Sequence, residues 1–93
     1  MEHDIEYLSE TEAPEDRPYE TLDVRELPPP KPLQNTLERL AELDTNVVLV
    51  QLNDRRPQHL YPKLIDRGYE YDTAAVGDTV VTAIFSREED SAT

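Results

Sequence analysis

The sequence predicts an α/β fold, in detail an α+β two-layer sandwich with the order β-α-β-α-β-β and two helices on one face of a four-stranded mixed sheet. Three observations predict it. Two apolar stripes at helical spacing follow proline-marked starts, one at Pro32 and one after Pro57. Between them runs VVLVQL, Val47 to Leu52, a near-continuous apolar segment with the length and composition of a central strand. From Tyr69 onward, two strand-like runs are separated by Gly77 and Asp78.

Taken in order, Thr21 to Val24 carries β-formers and suits one short strand. Pro28, Pro29 and Pro30 cannot continue it centrally, because each lacks the N–H that a sheet ladder needs. Lys31 precedes a proline and is pushed towards extended geometry, so the first helix is expected to open at Pro32. Leu33, Leu37, Leu40, Ala41 and Leu43 then form its apolar stripe. Asp44, Thr45 and Asn46 make a turn in which Asn46 is able to take left-handed geometry in place of glycine. The strand Val47 to Leu52 follows, and strand, helix and strand in succession imply a right-handed parallel crossover.

Asn53 and Asp54 end that strand. Proline is tolerated in a helix only within the opening turn, so Pro62 requires an unkinked second helix to begin no earlier than about Gln58. Leu60, Tyr61, Leu64 and Ile65 are its expected buried face, and Gly68 stops it at the C′ position. Tyr69 to Ala74 alternates as a half-exposed strand. Val76, Gly77 and Asp78 turn the chain into Thr79 to Ser86 (TVVTAIFS), completing an antiparallel hairpin.

The first strand-to-helix stretch carries a family resemblance. Leu22, Asp23, Leu27, Pro30, Pro32 and Leu33 match in order and spacing the motif of the TusA/SirA-like sulfur carriers. Those proteins place a persulfide-bearing cysteine directly before the Pro-x-Pro, where this chain has Pro29. With Asn53, Asp54, Pro57 and Leu60 downstream, the chain resembles a cysteine-less relative, the family called domain of unknown function twenty-two forty-nine, over roughly residues 22 to 85. The resemblance implies the same two-layer arrangement. It also makes Asp23, Pro29, Pro30 and Pro32, with Asn53, Asp54 and Pro57, the motif residues. Some members of that family accompany hemerythrin-like domains and carry a histidine after the Asn-Asp pair, where this chain has Arg55.

At 93 residues the chain is one domain with a small core. It holds 21 acidic side chains against nine lysines and arginines, for a net charge of −12. Residues 1–20 contain eight acids and one arginine, and residues 87–93 three acids and one arginine, so most of the charge lies in the tails. The expected organisation is therefore a disordered acidic leader at 1–20, a TusA/SirA-like domain at 21–86, and a disordered tail at 87–93. Removing the leader should then leave the fold intact.

Affinity for nucleic acid comes from neutralising phosphates with Lys and Arg, so this charge argues against nucleic-acid partners and against anionic membranes. A proteome adapted to high salt produces such a composition, because its self-repulsion is then screened. With no cysteine, disulfides, thiolate zinc sites and thiol or persulfide chemistry are excluded. Neither a cationic apolar leader nor a long apolar run is present, so a cytoplasmic protein without a membrane span is expected.

Two places are candidate sites. The proline-led helix start is either an anion site or a rigid connector, since its prolines remove donors as well as the nucleophile. The other is the basic cluster Arg55, Arg56, His59, Lys63 and Arg67, five of the eleven Lys, Arg and His residues within thirteen positions. It is read either as an anion or partner-binding face, or as a solvated helix flank. No catalytic, cofactor or metal-binding constellation is read from the sequence. His3 lies far from His59, Asp54 suits a strand end or helix cap, the tyrosines suit packing, and two glycines make no phosphate loop. The expectation is a monomeric, non-enzymatic binding or adaptor domain with an unidentified protein partner and no cofactor. One alternative is a small-anion-binding accessory of sulfur or redox metabolism that uses the basic patch, and a third reading is an enzyme using Asp54, His59 and the arginines.

Overall fold

The computed structural model describes residues 11, 13, 14 and 16–86. Six elements follow the predicted order: β1 (Tyr19–Asp23), α1 (Lys31–Glu42), β2 (Val48–Asn53), α2 (Leu60–Asp66), β3 (Tyr69–Val76) and β4 (Thr79–Ser86). They build one mixed sheet in the order β1-β2-β4-β3, with β1 parallel to β2 and the other neighbours antiparallel. β2 therefore lies inside the sheet, and all six of its residues are buried.

Strand side chains alternate between faces, and in β2 both sets are buried, Leu49, Gln51 and Asn53 on one face and Val48, Val50 and Leu52 on the other. Leu49 meets Ile84 of β4, Leu40 of α1, and Leu60 and Leu64 of α2, so both helices lie on this face. Val48, Val50 and Leu52 form a second cluster on the other face with Val81 and Ala83, flanked by Tyr19, Val76 and Phe85. Among the described residues, no helix covers that side. Ala13, only 5% exposed, belongs to this second cluster, and Thr11 and Arg17 are buried as well.

The boundary drawn at residue 20 therefore moves towards the N-terminus. Tyr19 and Glu20 are the first residues of β1, and the Val48 N–H donates to the Pro18 carbonyl at 2.9 Å. The physical reason is β2 itself: a strand buried on both faces needs two covers, and the helices provide one. The tail assignments for residues 1–10 and 87–93 lie outside the described residues.

Other expectations shift for local reasons. α1 opens at Lys31 rather than Pro32, which falls in the first turn, where a missing N–H breaks no bond. Its Thr36 and Leu40 are buried, while Ala41 is exposed. α2 begins only at Leu60, after a tight turn in which the Leu60 N–H reaches the Pro57 carbonyl at 2.9 Å, and Pro62 remains in its first turn. With seven residues it turns only Leu60 and Leu64 fully inward, and Ile65, expected in the core, is 63% exposed. Asn46 is not left-handed, since no non-glycine residue among those described has a positive φ; the Val47 N–H closes the turn on the Asp44 carbonyl.

The two glycines behave as expected. Gly68 follows α2 at φ +83° and donates to the Ile65 carbonyl at 3.0 Å. Val76 pairs with Thr79, leaving Gly77 and Asp78 as a two-residue hairpin loop. Gly77 has φ +61° and Asp78 does not take a positive φ, which is the type II′ pattern suited to the sheet twist.

β1 is tied to α1 by Arg39, whose Nη2 donates to Glu20 Oε1 at 2.8 Å, with its Nε on the other carboxylate oxygen. The Arg39 hydrogen bonds hold the Glu20 carboxyl below its ordinary value of 4.5. A lowered carboxyl pKa adds stability above the unfolded-state value and loses it as pH falls through the folded one. Glu20→Gln should therefore melt below the wild type at pH 7, and the gap should close as the pH is taken below 4.5. A gap independent of pH in thermal melts would show that the pair contributes through packing alone.

Candidate binding pocket

Parallel pairing puts the C-terminal ends of β1 and β2 at the same end of the sheet. The chain leaving each strand there turns back through prolines before entering its helix. Between the two connections lies a pocket of about 420 Å³. Its walls come from Pro29, Pro30 and Pro32 on one side and Pro57 on the other, with Leu27 and Leu33. The Pro29–Pro30 peptide is cis.

The floor is polar and belongs to β2. Gln51 and Asn53 both line the pocket, although Gln51 is fully buried and Asn53 is 5% exposed. Buried amides need partners, since leaving one unsatisfied costs about 1–3 kcal/mol, and here they form a file. Asn53 Oδ1 accepts the Asp54 N–H at 2.7 Å, and Asn53 Nδ2 donates to Gln51 Oε1 at 3.5 Å. Gln51 Nε2 donates to Thr36 Oγ1 at 2.7 Å, and the Thr36 hydroxyl donates to the Pro32 carbonyl at 2.7 Å. The first turn of α1 is thereby linked to the strand end beneath the pocket.

The same row continues across the sheet, where Gln51 is in register with Thr82 and Thr82 with Thr73. Thr73 Oγ1 lies 3.1 Å from the Thr82 hydroxyl and 2.6 Å from Tyr61 Oη, while the Tyr61 ring stacks on Tyr71 at 4.3 Å. The tyrosines thus serve packing on the helix side.

The rim is charged. Arg55, Arg56 and His59 line the pocket and are exposed, as is Asp54, the one acid of the lining, whose Oδ1 lies 3.6 Å from Arg55 Nε. Of the basic cluster, Lys63 and Arg67 are not part of the lining. They lie farther along α2, exposed, with Arg67 Nη1 donating to the Lys63 carbonyl. Asp54 caps no helix, since α2 has no side-chain cap.

Six of the seven motif residues line the pocket; Asp23 does not. Asp23 instead accepts three bonds from Arg25, from Nε at 2.9 Å, Nη2 at 2.7 Å and the backbone N–H at 3.1 Å, which hold its carboxyl below the ordinary value of 3.8. Arg25 Nη1 also reaches Thr79 Oγ1 at 3.1 Å, so this motif position clamps the end of β1 to the start of β4.

Sequence reasoning passed over Gln51 and Thr36. The available signal was the single amide inside the apolar run VVLVQL. Among the described residues, no group of three His, Cys, Asp or Glu side chains could hold a metal ion, and no helix is long and apolar enough to cross a membrane. His3 lies outside the described residues.

Fold and site together define a small two-layer α/β domain with a proline-walled, amide-floored pocket at the C-terminal ends of its parallel strands. The chain belongs to the family described as Uncharacterized conserved protein (DUF2249), whose model matches residues 21–87. No curated protein and no solved structure matches it.

Proposed function

We propose that this is a non-enzymatic binding domain, a TusA-like fold without the carrier cysteine, that works through the pocket between its two strand-to-helix connections. One observation carries the reading: the proline cluster and the Asn-Asp-Arg-Arg-Pro segment, distant in sequence, meet on a single cavity. Its volume falls within the range of small-molecule sites, about 300–1,000 Å³. The lining offers no thiol, hydroxyl or amine side chain; its carboxylate, Asp54, faces Arg55, and His59 lies on the exposed rim, which favours holding a ligand or a partner's side group over transforming it. A protein partner could then dock around an occupied pocket. The resemblance to sulfur carriers supports a shared architecture in which this corner is the working one.

A second reading, a small-anion-binding accessory of sulfur or redox metabolism, is favoured by Arg55, Arg56 and His59 on the rim. In a chain of net charge −12, a lining with two arginines and one aspartate is a local reversal of sign.

Amide chemical shifts recorded against a mixed set of small anionic and neutral probes test the reading. Saturable changes should centre on residues 27–33 and 53–60, with every probe recovered unchanged. Shifts confined to the sheet edges, or chemical turnover of a probe, would overturn it.

A further inference from the structure

The hydrogen bonds beneath the pocket go further than its existence: they state which polarity of ligand it takes. The carbonyl oxygen of Asn53 already accepts the Asp54 N–H, and that of Gln51 accepts from Asn53. Each carboxamide nitrogen has two hydrogens and gives one to the file; Gln51 is fully buried, so the N–H left at the floor is that of Asn53, which is 5% exposed. The arginines of the rim have donors only, and proline has no backbone N–H to offer. Of the polar lining, Asn53, Arg55 and Arg56 present donors, Gln58 and His59 both donate and accept, and the Asp54 carboxylate faces Arg55, so donors outnumber acceptors towards an occupant.

Between floor and rim the surface is apolar. Proline and leucine side chains make up half of the lining, and such walls favour a body that leaves water without needing hydrogen bonds. We infer that the pocket takes a small organic carboxylate: a planar, acceptor-only head for the amide and guanidinium donors, on a compact apolar body held between the proline walls. Arginine suits such a head because its fork meets both carboxylate oxygens at once. An inorganic oxyanion satisfies the donors and leaves the walls empty, whereas a neutral amide fills the walls and brings a donor of its own. This inference rests on the reading of the pocket as the working surface.

Three probes at constant ionic strength separate the cases: benzoate, benzamide and inorganic sulfate, titrated into the full chain and followed by amide shifts. Benzoate should saturate with changes centred on Gln51, Asn53 and residues 55–59, at least ten-fold tighter than either of the others. Asn53→Asp, nearly isosteric, replaces the floor donor with a negative charge and should weaken benzoate at least ten-fold, and by more than it weakens benzamide. Arg55→Ala/Arg56→Ala, a change of exposed residues only, should weaken benzoate by a similar factor. Equal affinity for benzoate and benzamide would overturn the carboxylate assignment while sparing the pocket. Equal affinity for benzoate and sulfate would overturn the apolar body. If no probe shifts these residues, the pocket reading itself falls.

Discussion

A protein lacking residues 1–18 will melt well below the full chain and will bind hydrophobic dyes. The segment removed includes Ala13, which is buried against Val48, Val50, Leu52, Val81 and Ala83, and Pro18, whose carbonyl accepts the Val48 N–H. Wetting each 100 Å² of such a face costs about 2.5 kcal/mol. In a domain of this size about 1 kcal/mol lowers Tm by roughly 4–8 °C, so a fall of more than about 10 °C is expected. Ala13→Asp tests the same contact within the full chain, because it puts a charge where the wild type is 5% exposed. A truncated protein with unchanged Tm and no dye binding would show that the second face of the sheet is stable without its cover.

Two neighbouring positions on α2 should differ sharply. Leu64 is fully buried, and Ile65 is 63% exposed. Leu64→Ala is expected to cost about 2–5 kcal/mol, the range for deleting a leucine side chain from a core. Ile65→Ala should fall within about 0.5 kcal/mol of the wild type, as exposed substitutions do. Urea denaturation with a common m-value measures both. Similar losses at the two positions would mean that α2 is rotated from the orientation described, and with it the residues that lead from the pocket rim.

Both results bear on what the sequence could tell. The element order was legible because it rests on strong local signals: prolines before each helix, an unbroken apolar strand, and glycines where φ is positive. The leader's cover was not legible. A single alanine between Glu12 and Pro14 has no periodicity, and its burial depends on a face that only the assembled sheet creates. Ile65 was misplaced because a seven-residue helix is too short for a stripe to distinguish one flank from the other. Asn46 lost its expected geometry because the turn closes by another hydrogen bond. At the pocket, the prolines and the Arg55–Arg56 pair were visible as candidates. The floor was not, because a buried glutamine shows its purpose only when Thr36 and Asn53 are brought beside it.

The sheet order also sets a timetable for synthesis. A chain made from its N-terminus releases β1 and then β2 early, but β2's other neighbour, β4, begins 26 residues after β2 ends. Until β4 emerges, the apolar strand VLVQLN has one open edge, and a nascent segment of that kind is prone to associate with its like. The eight acids of residues 1–20 have by then already left the ribosome. Neighbouring nascent chains on one polysome therefore carry like charges throughout that interval, and that repulsion opposes association of their unfinished strands.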